Sequence, residues 1–222
     1  MLEDLDAIDW SSLTHAHGPA TDVPQMLRSL LSEDADVWMQ ACAELHETIW
    51  YQGTVFPASA TAIPFLLELL THADLLDPGC PDPGNPSGYR VSPAGCAVSL
   101  LCCIATGVGY IGYVLRVDGE ESLRRRLAKS GRSAEEALEQ ERDMMEAIQR
   151  GISAGLRQLL PYMGDPAPDL RASVAEALGN FPEHTSWLLP AIDAAVAAES
   201  DPHVRQVLAE SKARLISVDG HG

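Results

Sequence analysis

Two segments near the C-terminal end repeat one another, and that repetition limits the possible folds more than any other feature of the chain. Asp165 and Pro166 are followed by Leu170, Arg171, Val174, Ala177 and Leu178, and Asp201 and Pro202 by Val204, Arg205 and Leu208, with the two arginines 34 positions apart. Each unit reads as a turn, a proline-started helix and a partner helix. A pair that small cannot bury its own apolar stripe, so it must stack on neighbouring pairs. The N-terminal part fits the same template, since Asp34 precedes Val37, Ala41 and Leu45, although Trp38 stands where the later units carry arginine. The expectation is an all-α chain of 222 residues in one array of stacked helix pairs.

The rest of the pattern is mostly helical too. Asp22 is placed to cap a first helix with Pro24 in its opening turn and Met26, Leu27, Leu30 and Leu31 on one face, stopping near Ser32. In the second helix Val37, Ala41, Leu45, Thr48 and Ile49 form the candidate buried line, with Asp36, Gln40, Glu44 and Glu47 elsewhere on the cylinder. A third helix is expected from about Ser59 to His72, with Pro64 as a kink or a start. Residues 77–93 hold five prolines and three glycines and read as one insertion loop. Ser133 and Glu136 form a capping-box pair that opens a long helix to about Met163. Its predicted stripe is Leu138, Met145, Ile148, Ile152, Leu156 and Leu159, and Gly151 and Gly155 weaken it or allow close packing.

The Asp-Pro-x-Val-Arg start of the second unit resembles the HEAT-repeat, armadillo-like helical solenoids, well over residues 165–215 and more weakly over 22–72. The segment 13–24, with His15, His17, Gly18 and Pro19, together with 52–56 and 62–66, resembles one bacterial group of HEAT-repeat proteins. The resemblance implies a right-handed α-α superhelix, and roles in that group include immunity or adaptor functions in toxin systems. Fold carries over from such a likeness better than role does.

Several motifs invite chemistry and are better explained without it. Gly107, Gly109 and Gly112 spell a G-x-G-x-x-G, but what precedes them, 97–105, is a Leu- and Cys-rich run that reads as helix, where a dinucleotide site needs a strand. The motif therefore reads as a glycine-broken helix end. Residues 91–115 carry no charge and are long enough to span a bilayer, yet Pro93, Ser99, Thr106 and the three glycines favour a buried central helix. His15 and His17 could ligate a metal with Asp22 or His46, and a polar turn into a capped helix is the simpler reading. Five cysteines, Cys42, Cys80, Cys96, Cys102 and Cys103, lack zinc or disulfide spacing and are expected as thiols, the last two in the core. No cofactor or metal is expected. The acidic opening, Glu3, Asp4 and Asp6, is unlike a secretory signal, so a cytoplasmic location is expected.

Charge is what points outward. The net is -17, and residues 1–75 carry 12 acids against the single base Arg28. Nucleic acid and anionic membrane are poor partners for such a chain, and a basic protein is a good one. The expected function is a non-catalytic protein-binding module, an immunity or adaptor protein for a basic partner such as a toxin domain. In it Glu33, Asp34, Asp36, Glu44 and Glu47 attract the partner, and Trp38 and Trp50 anchor it. The rival class is a helical-repeat enzyme, lyase or glycosylase-like, with a pocket near His15, His17, Trp50 and Tyr51.

Overall fold

A computed structural model describes residues 2–72, 80–81, 90–131 and 133–218. The helices are α1 (Val23–Ser29), α2 (Ala35–Thr48), α3 (Pro57–Leu69), α4 (Pro93–Thr106), α5 (Tyr110–Val117), α6 (Gly119–Ser130), α7 (Ala134–Leu159), α8 (Pro168–Leu178), α9 (Thr185–Ala198) and α10 (Pro202–Val218). The chain is thus all-α, as expected. Short 3-10 turns precede α1, follow α7 at Leu160–Gly164 and lead into α9. α2, α4, α8 and α10 pack on one another in that order, and α3 packs on α7 behind them. The pairs α1 with α2, α3 with α4, and α9 with α10 tie the two rows together.

Local chemistry explains where helices begin. Pro57, Pro93, Pro168 and Pro202 each open a helix, where a missing N–H costs nothing and a fixed φ helps. Pro168 and Pro202 are the equivalent prolines of the two repeats, so the first unit begins two residues after the Asp165-Pro166 dipeptide that marks it in the sequence. Ser133 and Glu136 form the expected reciprocal capping box of α7. Asp22 does not cap α1 with its side chain, because that carboxylate is bonded to His15 instead.

The main core runs through both rows and includes Leu27, Leu45, Leu66, Leu101, Leu156, Val174 and Leu208. A second, small cluster of Ile111, Val114, Leu123, Leu127 and Ala137 joins α5, α6 and the start of α7. α7 therefore belongs to both, its far half to the main core. Leu138, predicted on its buried stripe, is 49% exposed, and Ala137 is buried in its place. At Gly155 an added Cβ would lie 2.2 Å from the Leu67 side chain, so the close approach of α7 to α3 would have to rearrange around an alanine.

The strands are two residues each. β1 (Thr14–His15) pairs antiparallel with β2 (Gly18–Pro19), and β3 (Trp50–Tyr51) with β4 (Thr54–Val55) through a turn in which both Gln52 and Gly53 have positive φ. β5 (Cys80–Pro81) pairs with β6 (Arg90–Val91), so the predicted 77–93 loop contains a short ladder, and its last residue, Pro93, opens α4. Residues 77–79 and 82–89 of that loop lie outside the described residues. β7 (Val108–Gly109) adds to β4 in parallel. The uncharged run 91–115 is divided among β6, α4, β7 and α5; among the described residues no helix is long and apolar enough to cross a membrane.

Candidate functional site

α2 carries the acidic stripe, and its phase differs from the sequence expectation. Trp38, Ala41, Leu45 and Thr48 are buried, whereas Val37 is 42% exposed. Adjacent helical positions stand about 100° apart, so either residue could have led the apolar line. The indole, with the larger apolar area, takes the buried side. Trp38 is therefore part of the core and is not a partner-facing anchor. Trp50 is half-buried against the core, its ring edge-on to His46 at 6.4 Å, and its buried Nε1 has no hydrogen-bond partner among the described residues. Of the two predicted anchors, Trp38 is buried and Trp50 keeps part of its surface exposed.

The carboxylates fare differently. Asp34 caps α2 by accepting the Asp36 amide at 3.0 Å, and it remains exposed together with Glu33, Asp36 and Glu47. Asp36, Val37, Gln40, Ala41 and Glu44 face Gln25, Met26 and Ser29 of α1 across a groove of about 380 Å³. Met26, Val37 and Ala41 supply its apolar lining, and Asp36 and Glu44 its charge. Gln40 donates to Glu44 at 2.7 Å and holds that carboxylate over the groove. Arg28 is turned to Asp6 at 2.7 Å. No ion pair to Glu33, Asp34, Asp36, Glu44 or Glu47 occurs among the described residues. Glu33 and Glu47 do not line the groove.

The histidine segment forms the turn between β1 and β2. His15 Nε2 meets Asp22 Oδ1 at 2.9 Å while its Nδ1 accepts the His17 amide at 3.0 Å. Because Nδ1 accepts, the proton sits on Nε2 and is donated to Asp22, so both ring nitrogens are engaged. His46 lies elsewhere, and no group of three or more residues able to hold a metal occurs among the described residues. The predicted pocket is also divided. His17 stacks edge-on to Tyr51 at 5.5 Å, and Trp50, next along β3, faces His46. Of the four residues only His15 lines the larger cleft, about 580 Å³, between this turn and α5–α7.

That cleft shows what the glycine motif does. Gly107 ends α4 and Gly109 precedes α5, as a glycine-broken helix end requires. The carboxylate of Glu141 accepts from the Ile111 amide at 2.6 Å and the Gly112 amide at 2.9 Å. An added Cβ on Gly109 would lie 2.2 Å from Glu141 Cδ. The α5 N-terminus thus holds an anion supplied by α7, where a nucleotide-binding motif would hold a phosphate.

A further cluster lies between α2 and α4. Cys42 and His46 are one turn apart on α2, and Cys96, Ser99 and Cys103 follow a single face of α4. His46 Nδ1 is 3.0 Å from the Cys42 carbonyl and 3.8 Å from its Sγ, and Nε2 is 3.2 Å from Ser99 Oγ. A hydrogen bond with Cys96 lowers the Cys42 pKa, burial opposes it, and His46 lowers it further, leaving the thiol well below its ordinary value. Burial alone would depress His46, but hydrogen bonds with Cys103 and Cys42 outweigh it and raise the imidazole. Cys102, next to Cys103, is pushed up by burial and belongs to the core. The i, i+4 spacing of Cys42 and His46 was visible in the sequence; that α4 would bring two thiols to it was not.

The chain matches no family model, and no curated protein or solved structure matches it.

Proposed function

We propose that the chain is a non-catalytic protein-binding module, an immunity or adaptor protein built as a right-handed HEAT-like solenoid, that seats a basic segment of its partner in the groove between α1 and α2. The observation that carries this reading is the groove itself: apolar Met26, Val37 and Ala41 beside Asp36 and Glu44, without a neutralising base on the α2 stripe. A basic amphipathic segment would cover the apolar surface and relieve repulsion among the carboxylates at once. A toxin domain rich in lysine and arginine has that chemistry. The two rows of helices and the equivalent starts of α8 and α10 support the solenoid form. The enzyme alternative has less support, because His15 and Glu141, the acid–base candidates of the larger cleft, are both committed to structural hydrogen bonds.

Copurification from the native host supplies the partner for the test. Association is then measured at low and high salt for the wild type and for the double variant Asp36→Lys, Glu44→Lys. The variant should associate about ten-fold more slowly at low salt, with the difference fading at high salt. Its stability should change by no more than about 1 kcal/mol, since exposed charges contribute little. Equal association rates at low salt would eliminate the groove as the docking site.

A further inference from the structure

We propose that Cys42 is an oxidation site for small hydroperoxides, with His46 as its proton donor and Cys96 as the thiol that resolves the product into a disulfide between α2 and α4.

A carbonyl oxygen carries no proton, so the 3.0 Å contact between His46 Nδ1 and the Cys42 carbonyl requires the proton on Nδ1. That N–H also faces Cys42 Sγ at 3.8 Å, so the sulfur is the acceptor, the role a thiolate fills better than a thiol. Ser99 Oγ, 3.2 Å from Nε2, can accept a second ring proton and so suits the imidazolium. His46 of α2 meets Ser99 of α4 at 3.2 Å, and Cys42 and Cys96 lie one turn back on those same helices, where Cys96 helps to lower the Cys42 thiol, so a second thiol stands beside the first. The groups facing the pair are Cys96, Ser99 and Cys103 from α4 and Trp50 from β3. Cys42 and Cys96 are both half-buried, so neither residue is sealed inside the core. A metal centre is a poorer explanation, because the two ring nitrogens face Cys42 and Ser99 on opposite sides and no set of three ligands converges among the described residues.

The chemistry balances in two steps. The Cys42 thiolate attacks one peroxide oxygen, an S–O bond forms as the O–O bond breaks, and the departing hydroxide or alkoxide takes a proton from the His46 imidazolium. The Cys96 thiol then attacks the sulfenic sulfur, an S–S bond forms as the S–O bond breaks, and the hydroxyl leaves as water with the Cys96 proton. Two thiols lose two electrons, and hydrogen peroxide is reduced to two waters.

The test treats the full chain with hydrogen peroxide and maps the thiols by mass spectrometry. The wild type should lose two hydrogens and yield a peptide joined through Cys42 and Cys96. Cys96→Ser should instead give a dimedone adduct on Cys42. Alkylation of Cys42 across pH should show an apparent pKa below the ordinary cysteine value of about 8.5, and His46→Asn should raise it and slow labelling near neutral pH about ten-fold. Circular dichroism of each variant separates loss of reactivity from loss of fold. A disulfide through Cys103, first labelling at another cysteine, or a Cys42 rate in folded His46→Asn equal to the wild type would overturn the assignment.

Discussion

Replacing Arg171 with alanine tests how the C-terminal repeats are joined. Its guanidinium meets Glu199 twice, Nε to Oε2 at 2.7 Å and Nη2 to Oε1 at 2.8 Å, and Nη1 donates to the Asp165 carbonyl at 2.8 Å and the Pro166 carbonyl at 3.1 Å. One arginine therefore links the turn before α8 to the turn before α10. Only 13% of its side chain and 6% of that of Glu199 are exposed, so the pair is shielded from water and salt. The Glu199 carboxyl is lowered from 4.5 to about 2, chiefly by the Arg171 hydrogen bonds, against a burial cost, with help from the Asp201 and Ser200 amides. At about 1.4 kcal/mol per pH unit that depression sets a ceiling of roughly 3 kcal/mol, which the arginine shares with the two amides. Losing the alkyl stem and stranding a buried carboxylate add to the cost of deletion. Arg171→Ala should destabilise the chain by about 2–4 kcal/mol near neutral pH, a melting-temperature drop on the order of 5–10 °C.

The pH dependence has a definite sign. A carboxylate whose folded pKa is depressed contributes stability above its unfolded value of 4.5, and loses it as pH falls toward about 2. The gap between wild type and variant should therefore narrow over that interval. Arg205→Ala is the internal control. Arg205 occupies the equivalent place and reaches back to the Glu199 and Ser200 carbonyls, at the same offsets as Arg171, but pairs with no carboxylate among the described residues. Among the described residues only Arg171 of this pair meets a carboxylate, and Arg205→Ala should cost about 1 kcal/mol or less. Urea unfolding followed by circular dichroism at pH 7 and pH 3 measures all of this. An Arg171→Ala cost under about 1 kcal/mol, or one equally large at both pH values, would refute the reasoning.

Gly109→Ala should displace Glu141 from the α5 N-terminus and lower stability by about 1–3 kcal/mol; Glu141→Ala should cost a similar amount, and the double variant less than the sum of the two. Chemical denaturation of the three proteins checks this cycle. Trp38→Ala should destabilise by about 3–5 kcal/mol as a core truncation, while Val37→Ser should cost under about 1 kcal/mol, which inverts the sequence expectation and is read by thermal melting.

Local rules in the sequence already determined the helical class, several of the helices and their starts, and the equivalence of the last two repeats. A proline at N1, a Ser133–Glu136 capping box and a 3.6-residue apolar period act within a turn or two of chain, so they hold whatever the helix later packs against. The acidic character of α2 was legible for the same reason, since carboxylates at Asp36 and Glu44 share a face by spacing alone. What periodicity leaves open is which of two adjacent apolar residues turns inward, and only packing against α1 and α4 assigned Trp38 to the core and Val37 to the groove. Contacts between distant segments were beyond it altogether. Glu141 reaches the α5 N-terminus from 30 residues away, and Cys96 meets Cys42 because α4 lies beside α2. The tertiary structure decided those meetings because helical geometry sets the angle of a side chain about its own axis and says nothing of which helix stands opposite.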